Sequence, residues 1–116
     1  MFLNWTDLLG NLKRSYARLG GTNPKMLEAY RNLSAAQGDN GALDAKTREL
    51  IAMAVAVTTR CDGCISSHAA AAAKAGATEA EMSAAMGVAI ALNAGAAYVY
   101  SLRAMEAFSE LRASAA

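Results

Sequence analysis

The chain has 116 residues, of which 54% are hydrophobic and only 6% aromatic, and its charges nearly cancel at a formal +1. That length suits one domain with a modest core, spanning 1–116, and the lack of any Lys/Arg-rich stretch argues against nucleic acid as a partner. An apolar content built from Ala, Val, Ile, Leu and Met exceeds what a helical domain of this size can hide alone, so a homo-oligomer is expected.

The opening residues Met1-Phe2-Leu3-Asn4-Trp5-Thr6-Asp7 carry no basic n-region, and no apolar h-region with a cleavage site follows. No secretory leader is expected, and a cytoplasmic location is. A first helix is predicted from about Trp5 to Leu19, with Leu8, Leu9, Leu12, Tyr16 and Leu19 at helical spacing and Gly20-Gly21 ending it. A second starts at Asn23 as N-cap with Pro24 in its first turn, carries Met26, Leu27, Tyr30 and Leu33, and stops before Gly38-Asp39-Asn40-Gly41. These two form an antiparallel pair.

Asp44 caps a third helix, Ala45 to about Val57, whose apolar run from Leu50 onward reads as buried and whose acid is Glu49. Thr58-Thr59-Arg60 is a poor helix interior, so a fourth helix restarts near Asp62 and ends at Gly76. Thr78 with Glu81 makes a capping box for a fifth, Glu79 to Leu92, and Asn93 caps a sixth that reaches about Leu111. Met82 to Leu102 is uncharged and long enough to span a bilayer. Its alanines favour insertion little and Ser83, Gly87, Asn93, Gly95 and Ser101 interrupt it, so it reads as a buried helix pair, with no membrane as partner. Gly87, Ala91 and Gly95 stand four apart and allow close helix packing, within the chain or between subunits. The fold class is all-α: a single-domain bundle of about six helices.

In a reducing compartment a C-x-x-C is more often redox-active or metal-binding than structural. Cys61, Cys64 and His68 stand at i, i+3 and i+7, which returns them to one helix face within about 60°. Cys64 and His68 are one turn apart, so the imidazole is placed to hold the thiol proton, and the helix N-terminus favours a thiolate over the free thiol with its pKa of about 8.5. Glu49, an acid inside an apolar run, is placed to orient that imidazole.

The segments Glu49-Leu50-Ile51, Cys61-Asp62-Gly63-Cys64-Ile65-Ser66-Ser67-His68 and Ala75-Gly76-Ala77-Thr78 with Glu81 resemble the core of the alkylhydroperoxidase AhpD-like proteins, within the carboxymuconolactone decarboxylase superfamily. The likeness covers roughly residues 43–108. It implies an all-helical homo-oligomer, trimer or hexamer, that reduces hydroperoxides or passes reducing equivalents through its dithiol, as a peroxidase-type antioxidant enzyme. Carried onto this chain, it makes Cys64 the peroxide-attacking thiol, Cys61 the proton donor and resolving thiol that closes a disulfide, and His68 and Glu49 the proton relay. Gly63 stands where the best-known peroxidase members carry a second His. The decarboxylase branch generally lacks the cysteine pair.

With no flavin or nicotinamide fingerprint, no cofactor is expected, and electrons come from an external donor such as a dihydrolipoyl or thioredoxin-like protein. The substrate is a hydroperoxide or a disulfide. Three other readings use the same residues: a zinc site from Cys61, Cys64, His68 and Glu49; two cysteines that merely pack within an oligomeric module; and a dithiol carrier that feeds a peroxiredoxin.

Overall fold

The computed structural model describes residues 2–115, so the two ends of the predicted domain, Met1 and Ala116, lie outside it. It contains five helices: α1 Trp5–Thr22, α2 Pro24–Ala36, α3 Ala45–Thr59, α4 Asp62–Lys74 and α5 Glu79–Ala115. The all-helical class expected from the sequence is what is found.

Each boundary has a local cause. Asn4 opens α1 by accepting the Asp7 N–H at 3.0 Å. Gly20 and Gly21 do not stop this helix, which runs on to Thr22. Gly20 serves a close approach, because a Cβ there would overlap the side chain of Leu27 on α2. Asn23 holds the N-cap position of α2, but its side chain makes no capping bond. The two helices pair antiparallel, with Gly20 against Leu27 at one end and the Tyr16 and Tyr30 rings stacked at a centroid distance of 6.2 Å at the other.

Asp44 caps α3 through the Thr47 N–H at 2.8 Å, and that bond holds its carboxyl below the usual carboxylate range. The helix runs two residues past Val57 because Thr58 and Thr59 turn their hydroxyls back onto the Ala54 and Val55 carbonyls, at 2.8 and 3.0 Å. Only Met53 and Ala56 of α3 are buried, so the prediction of a wholly buried helix is corrected. Ile51 and Val55 remain 48% and 56% exposed. Arg60 then takes the left-handed conformation, φ 55°, and Cys61 begins α4. Gly76, φ 84°, ends it, as expected of a helix-stopping glycine.

The capping box at α5 forms reciprocally: Thr78 N–H donates to Glu81 Oε1 at 2.9 Å and Glu81 N–H to Thr78 Oγ1 at 3.1 Å. Lys46 of α3, 2.9 Å from Glu81, and the Thr78 N–H hold that carboxyl below its usual range. Their contribution to stability is present above the ordinary carboxylate pKa and lost as pH falls through the lowered one. The main departure from the sequence reading lies downstream, where the predicted fifth and sixth helices are one. Asn93 does not cap a new helix. Its Nδ2 donates to the Ala89 carbonyl at 2.7 Å and to Thr58 Oγ1 of α3 at 2.8 Å, so the side chain joins two helices without breaking either. Lys46–Glu81 at one end and Thr58–Asn93 at the other show that α5 runs parallel to α3.

The core that results is small and made of α3, α4 and the first part of α5, with Met53, Ala56, Ala72 and Ala89 its buried hydrophobics. From Ile90 to Ala115 every residue of α5 is exposed, including Tyr98, Leu102, Met105 and Phe108. A chain of this length folded into a compact globule has a radius of gyration of about 13 Å. The observed value is 19.5 Å, because α5 projects past the end of α3. By length and composition this 37-residue helix could also cross a membrane, and its most apolar window is 6% buried.

An apolar helix that long and that exposed needs a cover, and a second copy would supply one of matching length and character. Light scattering on protein purified without detergent is expected to give a mass several times 12.0 kDa. A stable monomer, or recovery only from the membrane fraction, would contradict this.

Candidate active site

The short turn between α3 and α4 builds the site. After Arg60 reverses the chain, the Cys61 N–H donates to the Ala56 carbonyl at 3.1 Å, which places Cys61 at the N-cap of α4. Its sulfur does what a serine hydroxyl does at that position: Sγ accepts the Cys64 N–H at 3.1 Å. One turn later Cys64 comes round beside it, with Cα atoms 5.2 Å apart and the sulfurs at disulfide distance. The pair therefore lies where unpaired helix N–H groups and the positive end of the helix dipole favour negative charge on sulfur.

His68, one further turn along α4, meets Glu49 from α3. Nδ1 and Oε2 are 2.6 Å apart, with the side chains 31% and 20% exposed. Glu49 reaches His68 because α3 and α4 run antiparallel across the short turn. With Nδ1 engaged by the carboxylate, Nε2 is the ring nitrogen left to exchange protons with the thiol side of the site. The structure thus brings together all four residues named from the sequence, as two pairs: sulfur with sulfur and imidazole with carboxylate. Among the described residues no three His, Cys, Asp or Glu side chains converge as a metal-ligand set.

Two cavities flank this centre. One, of about 590 Å³, lies between α1, α2 and the start of α4 and is lined by both cysteines and His68 together with Leu12, Tyr16 and Tyr30. The other, of about 570 Å³, lies on the α3 side, between α2 and α3, adjoins the first at Tyr30 and Ser34, and is lined by Cys64 and His68 with Leu33, Ile51 and Val55. Both exist because α2 packs on α1 alone and stands clear of α3 and α4. Sequence reasoning placed Leu12, Tyr16, Tyr30 and Leu33 on their helices but gave none of the aliphatic or aromatic wall residues a part in the site. The available signal was Tyr16 and Tyr30, two aromatics at core-like spacing on helices with no buried residue. Ser66, buried beneath the site, donates to the Gly63 carbonyl at 2.8 Å and ties down the first turn of α4.

The sequence pattern of the carboxymuconolactone decarboxylase family matches residues 24–107. An uncharacterized protein of Haemophilus influenzae is 60% identical over 113 residues, covering 97% of this chain and 100% of that one. An uncharacterized protein encoded in the cox locus of Paracoccus denitrificans is 36% identical over 104 residues, 87% and 94% of the two chains. The crystal structure of a carboxymuconolactone decarboxylase family protein from Legionella pneumophila, in its apo form, matches with a TM-score of 0.72 at 34% identity, over 91% of this chain and 95% of that one.

The pairing of His68 with Glu49 has a direct chemical consequence. In reduced protein near neutral pH, Cys64 should alkylate faster than Cys61, and His68→Ala should slow it by about 10²-fold or more, the usual worth of general-base help. Glu49→Gln should lose less, because an amide still holds the ring. Peptide mapping after iodoacetamide labelling reads both sites. Preferential labelling of Cys61, unmoved by His68→Ala, would assign the nucleophile to the cap position.

Proposed function

The chain belongs to the carboxymuconolactone decarboxylase family, and within it we propose an AhpD-like thiol peroxidase that reduces hydroperoxides through Cys61 and Cys64. The observation that carries this reading is the adjacency of the two sulfurs at the N-terminus of α4, one turn from a His68–Glu49 pair at 2.6 Å.

The steps follow from the groups present. Nε2 of His68 takes the Cys64 proton, and the thiolate attacks the terminal peroxide oxygen. The O–O bond breaks, the alcohol leaves with a proton from the Cys61 thiol, and Cys64 becomes a sulfenic acid. Cys61 sulfur then attacks Cys64 sulfur, and hydroxide departs as water with the proton held by His68. The sum is dithiol plus hydroperoxide giving disulfide, alcohol and water. Two electrons and two protons from an external dithiol restore the starting state. Glu49 keeps the imidazole oriented and offsets its charge while it holds the proton. Such a cycle needs a supply of reduced thiols, which fits the cytoplasm, and the exposed half of α5 fits assembly with further copies of the chain.

Gly63 supports a second reading. The position before Cys64, a histidine in the best-known peroxidases of this type, is a tight place for a side chain here: a Cβ on Gly63 would sit 3.1 Å from Leu12 Cδ1, which would have to shift. With one histidine fewer, disulfide reduction on behalf of a peroxiredoxin uses the same pair without O–O cleavage.

Peroxide-treated protein should lose two hydrogens within one peptide spanning Cys61 and Cys64, read by mass spectrometry, and should consume cumene hydroperoxide catalytically when a dithiol is supplied. Turnover of a peroxiredoxin disulfide with no direct peroxide consumption would select the carrier reading. Thiols that stay free after peroxide would exclude the peroxidase reading, and thiols that also stay free after diamide would exclude both.

A further inference from the structure

We propose that the oxidant and the reductant reach the dithiol through different, adjoining cavities: an apolar hydroperoxide through the α3-side cavity, and a negatively charged dithiol through the α1/α2-side cavity. The inference rests on the peroxidase reading above and adds to it which surface each co-substrate uses.

Three differences between the cavities carry it. The first is which sulfur each exposes: Cys64 and His68 line both, whereas Cys61 lines only the α1/α2 side. If Cys64 is the sulfur that must return as thiolate beside His68, the incoming reductant has to attack Cys61 and expel Cys64. A nucleophile displaces the sulfur opposite to its line of approach, so it needs access to Cys61. Only one cavity offers that access.

The second difference is charge. Neither lining contains a carboxylate, and the α1/α2 side carries two exposed cations, Lys13 and Arg31. The α3 side has Arg48, but that guanidinium is anchored, donating from Nη1 to the Leu43 carbonyl at 2.7 Å. The third is the wall itself. Leu33, Ile51 and Val55 give the α3 side a branched aliphatic stretch, where the α1/α2 side sets Tyr16 beside Leu12 and Leu27, and that stretch suits the carbon chain of a peroxide whose terminal oxygen must reach Cys64. The chemistry then balances as two half-reactions on two faces. Peroxide oxidises the dithiol to a disulfide, with alcohol and water leaving. The external dithiol forms a mixed disulfide at Cys61, and its second thiol closes its own disulfide, freeing Cys61 as a thiol.

The half-reactions can be followed separately on the full chain by rapid acid quench, thiol labelling and mass spectrometry. Val55→Trp should slow oxidation by cumene hydroperoxide about tenfold and leave reduction by dihydrolipoate within about twofold. Oxidation of this variant by hydrogen peroxide, small enough to pass the indole, should stay near wild type. Lys13→Glu with Arg31→Glu should do the reverse, slowing dihydrolipoate reduction by about tenfold or more, with a smaller effect on neutral dihydrolipoamide, and sparing cumene hydroperoxide. All three positions are exposed, so the substitutions leave the core untouched. Equal slowing of both half-reactions by either variant would overturn separate entrances and leave the dithiol function standing. A wild-type protein inert to both peroxides would instead overturn the peroxidase reading. The reductant's side is still decided in that case, on protein oxidised with diamide: slowing by Val55→Trp rather than by the charge reversal would place it on the wrong face.

Discussion

Between the last residue of α3 and the first of α4 lie only Arg60 and Cys61. Arg60 pays the cost of a left-handed backbone, and Cys61 returns its N–H to Ala56 while its sulfur receives the N–H of Cys64. A turn this short leaves α3 and α4 no choice but to lie antiparallel in direct contact. Glu49 and His68, nineteen positions apart, then meet at 2.6 Å. The same turn decides where the sulfurs sit, because a cap residue lies just outside the helix and its side chain folds over the first turn. Lengthening the turn would separate the carboxylate from the imidazole and lift Cys61 off the helix end together.

Packing around this turn is done mainly by small side chains. Ala56, Ala72 and Ala89 are buried where α3 meets α4 and α5, and alanine lets backbones approach while contributing little apolar area of its own. Few large hydrophobics are thus spent on the core, and many are left on the surface of α5. The cysteine pair also sits at the margin of the packed region, between α4 and the loosely attached pair α1 and α2. That position leaves the sulfurs bordering open cavities, which the proposed thiol chemistry requires.

Local features were legible in the sequence, and contacts between distant segments mostly were not. The Thr78/Glu81 box, the Asp44 cap and the Gly76 stop act within a single turn of chain, where residue type and geometry are tightly coupled. The spacing of Cys61, Cys64 and His68 was readable because a helix has a fixed period, and the start near Asp62 left Cys61 just outside the helix, where it is the cap of α4. Glu49 stood out as an acid in an apolar run and so in need of a partner such as His68, and the family resemblance then strengthened that pairing across two helices. Asn93 misled for an instructive reason. Asparagine suits an N-cap, and nothing local reveals that its amide is instead bonded to Thr58, thirty-five residues away. Gly20 misled likewise, since the demand for a missing Cβ came from Leu27 on the next helix. The cavity walls were least legible of all, because they depend on α2 standing clear of α3 and α4.

The two sulfurs receive different stabilisation, and this bears on how one short motif performs two roles. Cys61 has the backbone N–H of Cys64, a donor fixed by the helix and indifferent to pH. Cys64 has His68 one turn along the helix, its Nδ1 tied to Glu49. A fixed donor favours negative charge on sulfur at any stage, whereas in the proposed mechanism an imidazole removes a proton before attack and returns it to a leaving oxygen. That mechanism needs proton transfer at the sulfur that meets the peroxide, and Cys64 is the cysteine one turn from the imidazole. Gly63 between them keeps the approach to both sulfurs open beside Leu12, which any side chain at that position would crowd. The motif therefore reads as a division of labour, with geometry supplied by the cap cysteine, proton handling by the histidine side, and access by the glycine.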